Sequence, residues 1–89
     1  MTVIDEVVAE RKRQIEKEGW SAEHDDEHSD GEMAWAAASY AMGSNRFWPW
    51  DIKWWKPTDR RRDLVKAGAL IVAEIERLDR SEILSRKSA

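Results

Sequence analysis

The sequence predicts an all-α protein: one compact three-helix domain with two irregular loops, the second of them rich in tryptophan. Three segments place apolar residues at three- and four-residue spacing between helix-capping residues, and the two segments between them lack this spacing. A chain of 89 residues has room for one domain with a modest core. We therefore expect a single helical domain over residues 1–81, with a C-terminal turn or frayed tail at residues 82–89.

The first predicted helix lies close to the N-terminus. Thr2 can cap it, with Asp5 three residues later as in a capping box, and Gly19 offers a stop. Its apolar residues fall mostly on one helical face, which is typical of a helix that packs against a neighbour. They are Val3, Ile4, Val7, Val8 and Ile15.

The second predicted helix is rich in alanine. Ser29 and Glu32 have the S-x-x-E spacing of a capping box, and the run from Met33 to Met42 has high helix propensity. Gly43 follows as a C-terminal stop. Because alanine is small, we expect a neighbouring element to approach this helix closely.

The third predicted helix has the most regular pattern. Thr58 follows Pro57 and can act as the N-cap, and the apolar residues then recur at helical spacing. They are Leu64, Ala67, Gly68, Ile71, Ile75 and Leu78. Three short helices of this kind leave apolar stripes that one small chain does not cover, which favours a homodimer or a higher oligomer.

Composition and charge limit the partners. The formal charge of −3, from 15 basic and 18 acidic residues, gives no overall attraction for polymeric nucleic acid or an anionic membrane. No cysteine is present, so disulfides, thiolate nucleophiles and thiolate metal sites are excluded. The sequence has no signal-peptide pattern and no apolar run near ~20 residues, so we expect a cytoplasmic protein.

The segment Phe47–Pro57, FWPWDIKWWKP, holds four of the six tryptophans. We expect Trp48 and Trp50 to pack inward against the alanine-rich helix, because Pro49 fixes the backbone between them and large aromatics supply scarce apolar area. No single period places all four indoles on one side, so at least one ring is expected to face outward.

The outward ring is expected to be Trp54 or Trp55, since Lys53 and Lys56 bracket this pair. An exposed indole beside cations suits a nucleobase joined to a phosphate. The candidate ligand-binding residues are Trp20, Trp54, Trp55, Lys53, Lys56, Arg61 and Arg62.

The arginine run Arg60–Arg62 lies in the first turn of the third predicted helix, where free N–H groups also favour an anion. Arg61 or Arg62 could clamp a phosphate or carboxylate, because a guanidinium offers two parallel donors. The alternative is a set of ion pairs within the helix, formed with Asp59 and Asp63.

The segment EHDDEH is expected to be an acidic loop that caps the second helix, with no metal bound. A weaker alternative is a zinc or magnesium site, because imidazoles and carboxylates at this spacing can share one ion. The candidate ligands for that alternative are His24, Asp25, Asp26, His28 and Asp63.

Two resemblances extend these predictions. The runs ERKRQIEKEGWSAEHDDEHSDGEMAWAAASYA, WPWDIKWWKP and DRRRDLVKAGALIVAEIERLDR resemble a family of small uncharacterised phage and prophage proteins over nearly the whole chain. Part of the pattern is also similar to the ryanodine-receptor repeat domain. The residues that carry this second similarity are Arg13, Gly19, Trp20, Asp25, Asp59 and Arg60, while the Pro-Tyr stretch of that domain is replaced by the tryptophan segment.

The ryanodine-repeat resemblance implies a compact helical module for an adenine nucleotide, an ADP-ribose derivative or a cyclic nucleotide. We therefore expect a binding module for a phosphorylated, base-containing molecule, without a cofactor and without catalysis. The phage resemblance implies that such a module sequesters a nucleotide signal of host defence, in the cytoplasm of the host bacterium.

Two alternatives stay open. MazG-type nucleoside triphosphate pyrophosphohydrolases are also small and helical, and they hold Mg²⁺ with E-x-x-E and E-x-x-D motifs. The nearest equivalents here differ in spacing; they are Glu23, Glu27, Glu32, Asp59 and Asp63. The second alternative is a structural or protein-interaction module.

Overall fold

A computed structural model describes residues 1–88, apart from the side chain of Ser88. The elements follow in the order α1 (Val3–Lys17), α2 (Ala22–Asp26), α3 (Glu32–Met42), two short 3₁₀ turns (Asn45–Phe47 and Ile52–Trp54) and α4 (Arg60–Ser88). No strand occurs within these residues. The predicted all-α fold class is therefore confirmed, with α1, α3 and α4 as the three longer helices.

The N-terminal boundary of α1 follows the sequence signal. Thr2 Oγ1 accepts a hydrogen bond from the Asp5 amide at 3.1 Å, and the Asp5 carboxylate accepts one from the Thr2 amide at 3.0 Å. The C-cap is Glu18, and Gly19 follows with φ of 75°, a conformation that glycine adopts without steric cost. Both the capping box and the stop are confirmed.

The first predicted loop contains a short helix. α2 begins after Ser21, whose hydroxyl accepts a hydrogen bond from the His24 amide at 3.3 Å. This Ser-x-x-His arrangement caps the helix from outside the EHDDEH segment. Four of the six residues of the segment, 23–26, are therefore helical rather than irregular.

The predicted capping box at the start of α3 is wrong. Gly31, with φ of 88°, is the residue before the helix, and it makes no side-chain cap. The Glu32 carboxylate instead accepts a hydrogen bond from the Asp30 amide at 2.7 Å. The left-handed glycine turns the chain directly into the helix, so Ser29 lies too far upstream to reach it. At the other end, Gly43 ends the helix as predicted, with φ of 70°.

The long helix α4 begins one position later than predicted. Asp59 rather than Thr58 precedes it, and the Asp59 carboxylate accepts a hydrogen bond from the Arg62 amide at 2.9 Å. The Thr58 amide donates instead to the Asp63 carboxylate at 2.8 Å. Asp59 rather than Thr58 caps α4 because its carboxylate oxygen reaches the amide of the third helical residue, Arg62.

The predicted turn or frayed tail is helical as far as the structure describes it. Residues 82–88 continue α4, and an ion pair from Arg86 to Glu82 at 2.6 Å joins adjacent turns. Pairs at this spacing stabilise an exposed helix by a few tenths of a kcal/mol. Ala89 lies outside the described residues.

The core lies where α3 packs against α4. Arg60 bonds the carbonyl of Ala41 near the end of α3, and Tyr40 lies beneath the Lys66 ammonium, so the end of α3 meets the beginning of α4. Small residues allow the close approach that the sequence predicted. The buried cluster comprises Trp20, Met33, Ala36, Ala37, Tyr40, Ala67, Leu70 and Ala73.

The outer faces of α1 and α4 are unusual, because most of the predicted apolar stripes point to solvent. In α1 the buried side chains are Glu10, Arg11 and Gln14, and all three are polar. The exposed apolar residues are Val3, Ile4, Val8 and Ile15 in α1 and Leu64, Ile71, Ile75 and Leu78 in α4, each 41–71% exposed. The two helices therefore meet through polar groups near the core and carry apolar groups outside.

No helix among residues 1–88 combines the length and the apolar character needed to cross a bilayer.

Candidate functional site

A cleft opens between α1, the beginning of α4 and the tryptophan segment. It consists of two adjoining pockets. The first, called here the cationic pocket, has a volume of about 270 Å³, and the second, the indole pocket, has a volume of about 410 Å³. Both pockets are lined by Glu18, Trp20 and Trp54, so the two spaces lie side by side, and they are together called here the cleft.

The polar face of α1 forms one wall of the cationic pocket. Glu10, Arg13 and Gln14 are three and four residues apart and so share one face of the helix. Glu10 is fully buried at its carboxylate, which accepts two hydrogen bonds from Arg13, at 2.8 and 2.9 Å, and a third from Arg62. The bidentate contact with Arg13 and the single hydrogen bond from Arg62 hold the two guanidiniums in place beside the pocket.

The carboxylates of the pocket remain ionised at neutral pH. Burial alone would raise the pKa of Glu10, but the hydrogen bonds and charge of Arg13, with the charge of Arg62, lower it overall. Burial acts in the same way on Glu18, and hydrogen bonds from Arg13 and Lys56 outweigh it and lower its pKa. Both acids are thus present as anions that orient the surrounding cations.

Lys66 forms the floor of the cationic pocket. Its ammonium donates to the Lys56 carbonyl at 2.8 Å and lies 5.4 Å from the centre of the Tyr40 ring. Burial lowers the pKa of Lys66, and the charge of Asp63, 3.9 Å away, opposes that change. A buried ammonium with carbonyl and aromatic partners is a ready donor for an anion that enters the pocket.

The indole pocket is built from stacked rings. Trp20 lies 5.7 Å from Trp50 and 6.4 Å from His24, measured between ring centroids. Trp20 is only 9% exposed, whereas Trp54 at the shared wall is 47% exposed. A flat apolar group in this pocket would therefore meet fixed rings on one side and a solvent-facing indole on the other.

The tryptophan segment divides between packing and exposure. Trp48, Trp50 and Trp55 are partly buried against the core, and Trp48 meets Tyr40 edge-on at 5.5 Å. Trp55 packs at a tilt on Tyr40 at 4.7 Å and also contacts Trp48 at 5.2 Å. Trp54 is the exposed member, with the ammonium of Lys53 at 5.4 Å and that of Lys56 at 5.6 Å from its ring.

Two buried polar atoms belong to residues that line the cleft. Within residues 1–88, neither the Gln14 Oε1 atom nor the Trp50 Nε1 atom has a hydrogen-bond partner. The Gln14 amide nitrogen is satisfied by Glu10 and by the Lys66 carbonyl, so its oxygen is the atom left over. Such groups carry a desolvation cost of about 1–3 kcal/mol each.

The structure brings together four of the seven predicted ligand-binding residues, namely Trp20, Trp54, Lys56 and Arg62. The other three lie outside the cleft. Trp55 packs on Tyr40, Lys53 lies over Trp54, and Arg61 pairs with Glu6 on the exposed surface at 2.6 Å.

The EHDDEH segment has structural partners. Asp25 is buried and pairs with Arg11 at 2.7 Å, while Asp26 pairs with Arg80 at 2.9 Å. His28 bonds the carbonyl of His24 through Nδ1 at 2.8 Å. In the part of the chain that the structure describes, no three His, Asp or Glu side chains are grouped as metal ligands. Asp63, the remaining metal candidate, bonds Thr58 instead.

Several cleft residues were not among the predicted site residues. They are Glu10, Arg13, Gln14, Glu18, Tyr40, Thr58 and Lys66 in the cationic pocket and Trp50 and Asp51 in the indole pocket. One signal was available in the sequence: Glu10, Arg13 and Gln14 are three and four residues apart and so form a polar stripe on one face of α1. Tyr40 and Lys66 carry no such signal, because folding brings them to the cleft from other helices.

The fold and cleft define a small all-α protein with a charged pocket joined to an aromatic one. Compared with family models, curated proteins and solved structures, the chain has no match. The resemblances to a phage family and to the ryanodine-receptor repeat therefore depend on the quoted sequence motifs alone.

Proposed function

We propose that the protein binds a small phosphorylated, base-containing molecule in the cleft and does not transform it. The observation that carries this proposal is that the two pockets adjoin at Glu18, Trp20 and Trp54. A nucleotide has the same two parts, an anionic group joined through a sugar to a flat base.

The charge of the cationic pocket supports an anionic ligand. Four cations line it, namely Arg13, Lys56, Arg62 and Lys66, against the lining carboxylates of Glu10 and Glu18 and the carboxylate of Asp63 next to Lys66. The surplus suits a phosphate group, and the arginines are already held by Glu10 in a fixed orientation. Preorganised donors of this kind lose little conformational freedom on binding.

The indole pocket supports a base. Trp54 is half exposed and carries two ammonium groups near its ring, so it offers a stacking surface with cations beside it. The partnerless Trp50 Nε1 and Gln14 Oε1 offer one donor and one acceptor at opposite ends of the cleft. A small side-chain movement would allow a ring acceptor and a sugar hydroxyl to satisfy them.

The hydrolase alternative has less support. The acidic residues that a MazG-like site would need are spread over α2, α3 and the start of α4, and no metal-ligand group forms among residues 1–88. Binding without turnover would suit sequestration of a nucleotide signal, as the phage resemblance implies.

The test is calorimetry with ATP, deoxynucleoside triphosphates, ADP-ribose and cyclic dinucleotides, followed by chromatography of the recovered ligand. We expect one of these compounds to bind and to be recovered intact in the presence of Mg²⁺. Hydrolysis would contradict the binding-module proposal, and the absence of any binding would favour an interaction module.

Matched variants locate the binding site. Arg62→Ala removes a cleft guanidinium and should weaken binding by ~1.5–3 kcal/mol, the value of a charge-assisted hydrogen bond. Arg61→Ala is its control, because Arg61 is an adjacent arginine that pairs with Glu6 outside the cleft. Equal effects of the two variants would show that the anion binds elsewhere on α4.

A further inference from the structure

The exposed face of α4 has a regular apolar pattern. Leu64, Ile71, Ile75 and Leu78 are exposed on this face, and with Gly68, which packs against Val7 of α1, they alternate at spacings of four and three residues, the heptad spacing of helices that pair along a seam. The four larger side chains are 45–53% exposed. This set is called here the outward stripe.

The apolar surface continues onto α1. A Cβ placed on Gly68 would lie 3.4 Å from Val7 Cγ2, so Val7 sits directly against the outward stripe. Ile4 and Val8 flank Val7 on the same helix and are 71% and 55% exposed. Exposed apolar side chains on two neighbouring helices, rather than single scattered ones, are typical of interaction sites.

The charge pattern along α4 specifies the partner. Residues 60–66 carry four basic and one acidic side chain, whereas residues 74–82 carry four acidic and two basic ones. Arg61 and Glu82 extend the stripe spacing at its two ends, with side chains 65% and 62% exposed. A second α4 that ran in the opposite direction would therefore place Arg61 near Glu82 at both ends of the seam.

We propose that the chain forms a symmetric homodimer in which two α4 helices pair antiparallel through the outward stripe. The two-fold arrangement makes the surface self-complementary in shape, because the outward stripe of one copy packs on the outward stripe of the other. It also makes the surface complementary in charge, because Arg61 of each copy lies near Glu82 of the other. A parallel pair would place Arg61 against Arg61 and Glu82 against Glu82, which is unfavourable.

The first test is mass in solution, by light scattering and sedimentation. We expect twice the chain mass of 10.4 kDa at high micromolar concentration. Ile75→Glu should weaken dimerisation by about a hundredfold, since it would bury an unpaired charge at the seam. Ile52→Glu is the control, because Ile52 is equally exposed, at 58%, but lies outside the stripe.

Charge reversal tests the direction. Arg61→Glu alone should weaken the dimer by about tenfold, because two symmetric attractions become repulsions. The double variant Arg61→Glu/Glu82→Arg should restore the affinity. In a parallel dimer the single reversal would replace one like-charge pair by another, and the affinity would not change.

Engineered disulfides give an independent measurement, because the chain has no cysteine. A mixture of Leu64→Cys and Leu78→Cys proteins should form the mixed disulfide, and each variant alone should form little of its own. Self-crosslinking at position 64 would indicate parallel helices and overturn the arrangement. A monomeric mass of the unmodified protein at high micromolar concentration would overturn the dimer itself.

Discussion

The buried ion pair between Arg11 and Asp25 should dominate the stability of the cleft wall. Asp25 is fully buried, and its carboxylate accepts a hydrogen bond of 2.7 Å from Arg11. Arg11 also donates to the Trp20 carbonyl at 2.9 Å, so this one side chain connects α1, α2 and Trp20, which lines both pockets. Asp25→Ala would leave the Arg11 charge buried without its main partner.

The expected cost is large for a protein of this size. Removal of one member of a buried pair costs ~3–5 kcal/mol, against a total stability on the order of 4–13 kcal/mol for a small domain. Each kcal/mol corresponds to roughly 4–8 °C in melting temperature at this length, so Asp25→Ala should melt at least ~12 °C below the unmodified protein. Urea titration followed by tryptophan fluorescence and by circular dichroism measures the free energy of unfolding.

The neighbouring residue supplies the matched control. Asp26 forms an ion pair of the same type, with Arg80 at 2.9 Å, but its side chain is 45% exposed. Exposed pairs contribute about 0–1 kcal/mol, so Asp26→Ala should change the free energy of unfolding little. Equal losses in the two alanine variants would refute the argument from burial. The double variant Arg11→Leu/Asp25→Leu should recover part of the loss, because neither charge of this pair is then buried without its partner.

Three further predictions follow from the cleft and its helices. Urea titration should show that Trp54→Ala lowers the free energy of unfolding by roughly half of the ~3–5 kcal/mol expected for Trp48→Ala, because Trp54 is half exposed. Only Trp54→Ala should abolish stacking of a bound base. The pKa of Glu10 is lowered in the folded protein. Its ionised carboxylate therefore contributes its full stabilising effect at a pH above its ordinary pKa of 4.5, and that effect is lost as the pH falls through the lower pKa of the folded state. Glu10→Gln should therefore flatten the acid limb of stability against pH, as measured by thermal melts. Gly68→Ala should raise the free energy of unfolding by about 0.5–1 kcal/mol, since a Cβ there makes an ordinary contact with Val7.

Helix existence and most helix ends could be predicted because their causes are local. The Thr2 capping box and the glycines at positions 19 and 43 act within one turn of the chain, so the sequence alone contains the physical reason. The wrong boundaries also have local causes. At Ser29 a second competent residue, Gly31, lies closer to the helix, and at Thr58 the acceptor of Asp59 is better placed.

The orientation of the helices could not be predicted in the same way. A periodic pattern identifies two faces of α1 but does not state which of them faces the core. Here the polar face is inside, because Glu10, Arg11 and Gln14 find ionic or hydrogen-bonding partners in α2 and α4. Burial of charge is tolerated only when such partners are present, and their positions depend on the tertiary fold.

The candidate site was predictable to the extent that its residues lie together in the sequence. Trp54 and Lys56 belong to one segment, and Arg62 follows within the first turn of α4. Lys66 and Tyr40 reach the cleft from two different helices, and no spacing in the sequence connects them. Arg61 was a reasonable candidate by composition, but one residue of helical rotation, about 100°, directs it away from the cleft occupied by Arg62.

The proposed ligand site and the proposed dimer surface lie on opposite sides of α4. Lys66 in the cleft and Ile75 in the outward stripe are nine residues apart on α4, a rotation of about 900°, which places them on opposite sides of the helix. The inner side of α4 packs small and apolar residues against α3 and lines the cleft, whereas Leu64, Ile71, Ile75 and Leu78 remain outside, where a second copy can bury them. The dimer would then bury apolar side chains that one copy leaves exposed, on the side of α4 that faces away from Lys66 and the cleft. Ligand affinity and dimer affinity should accordingly respond to different substitutions.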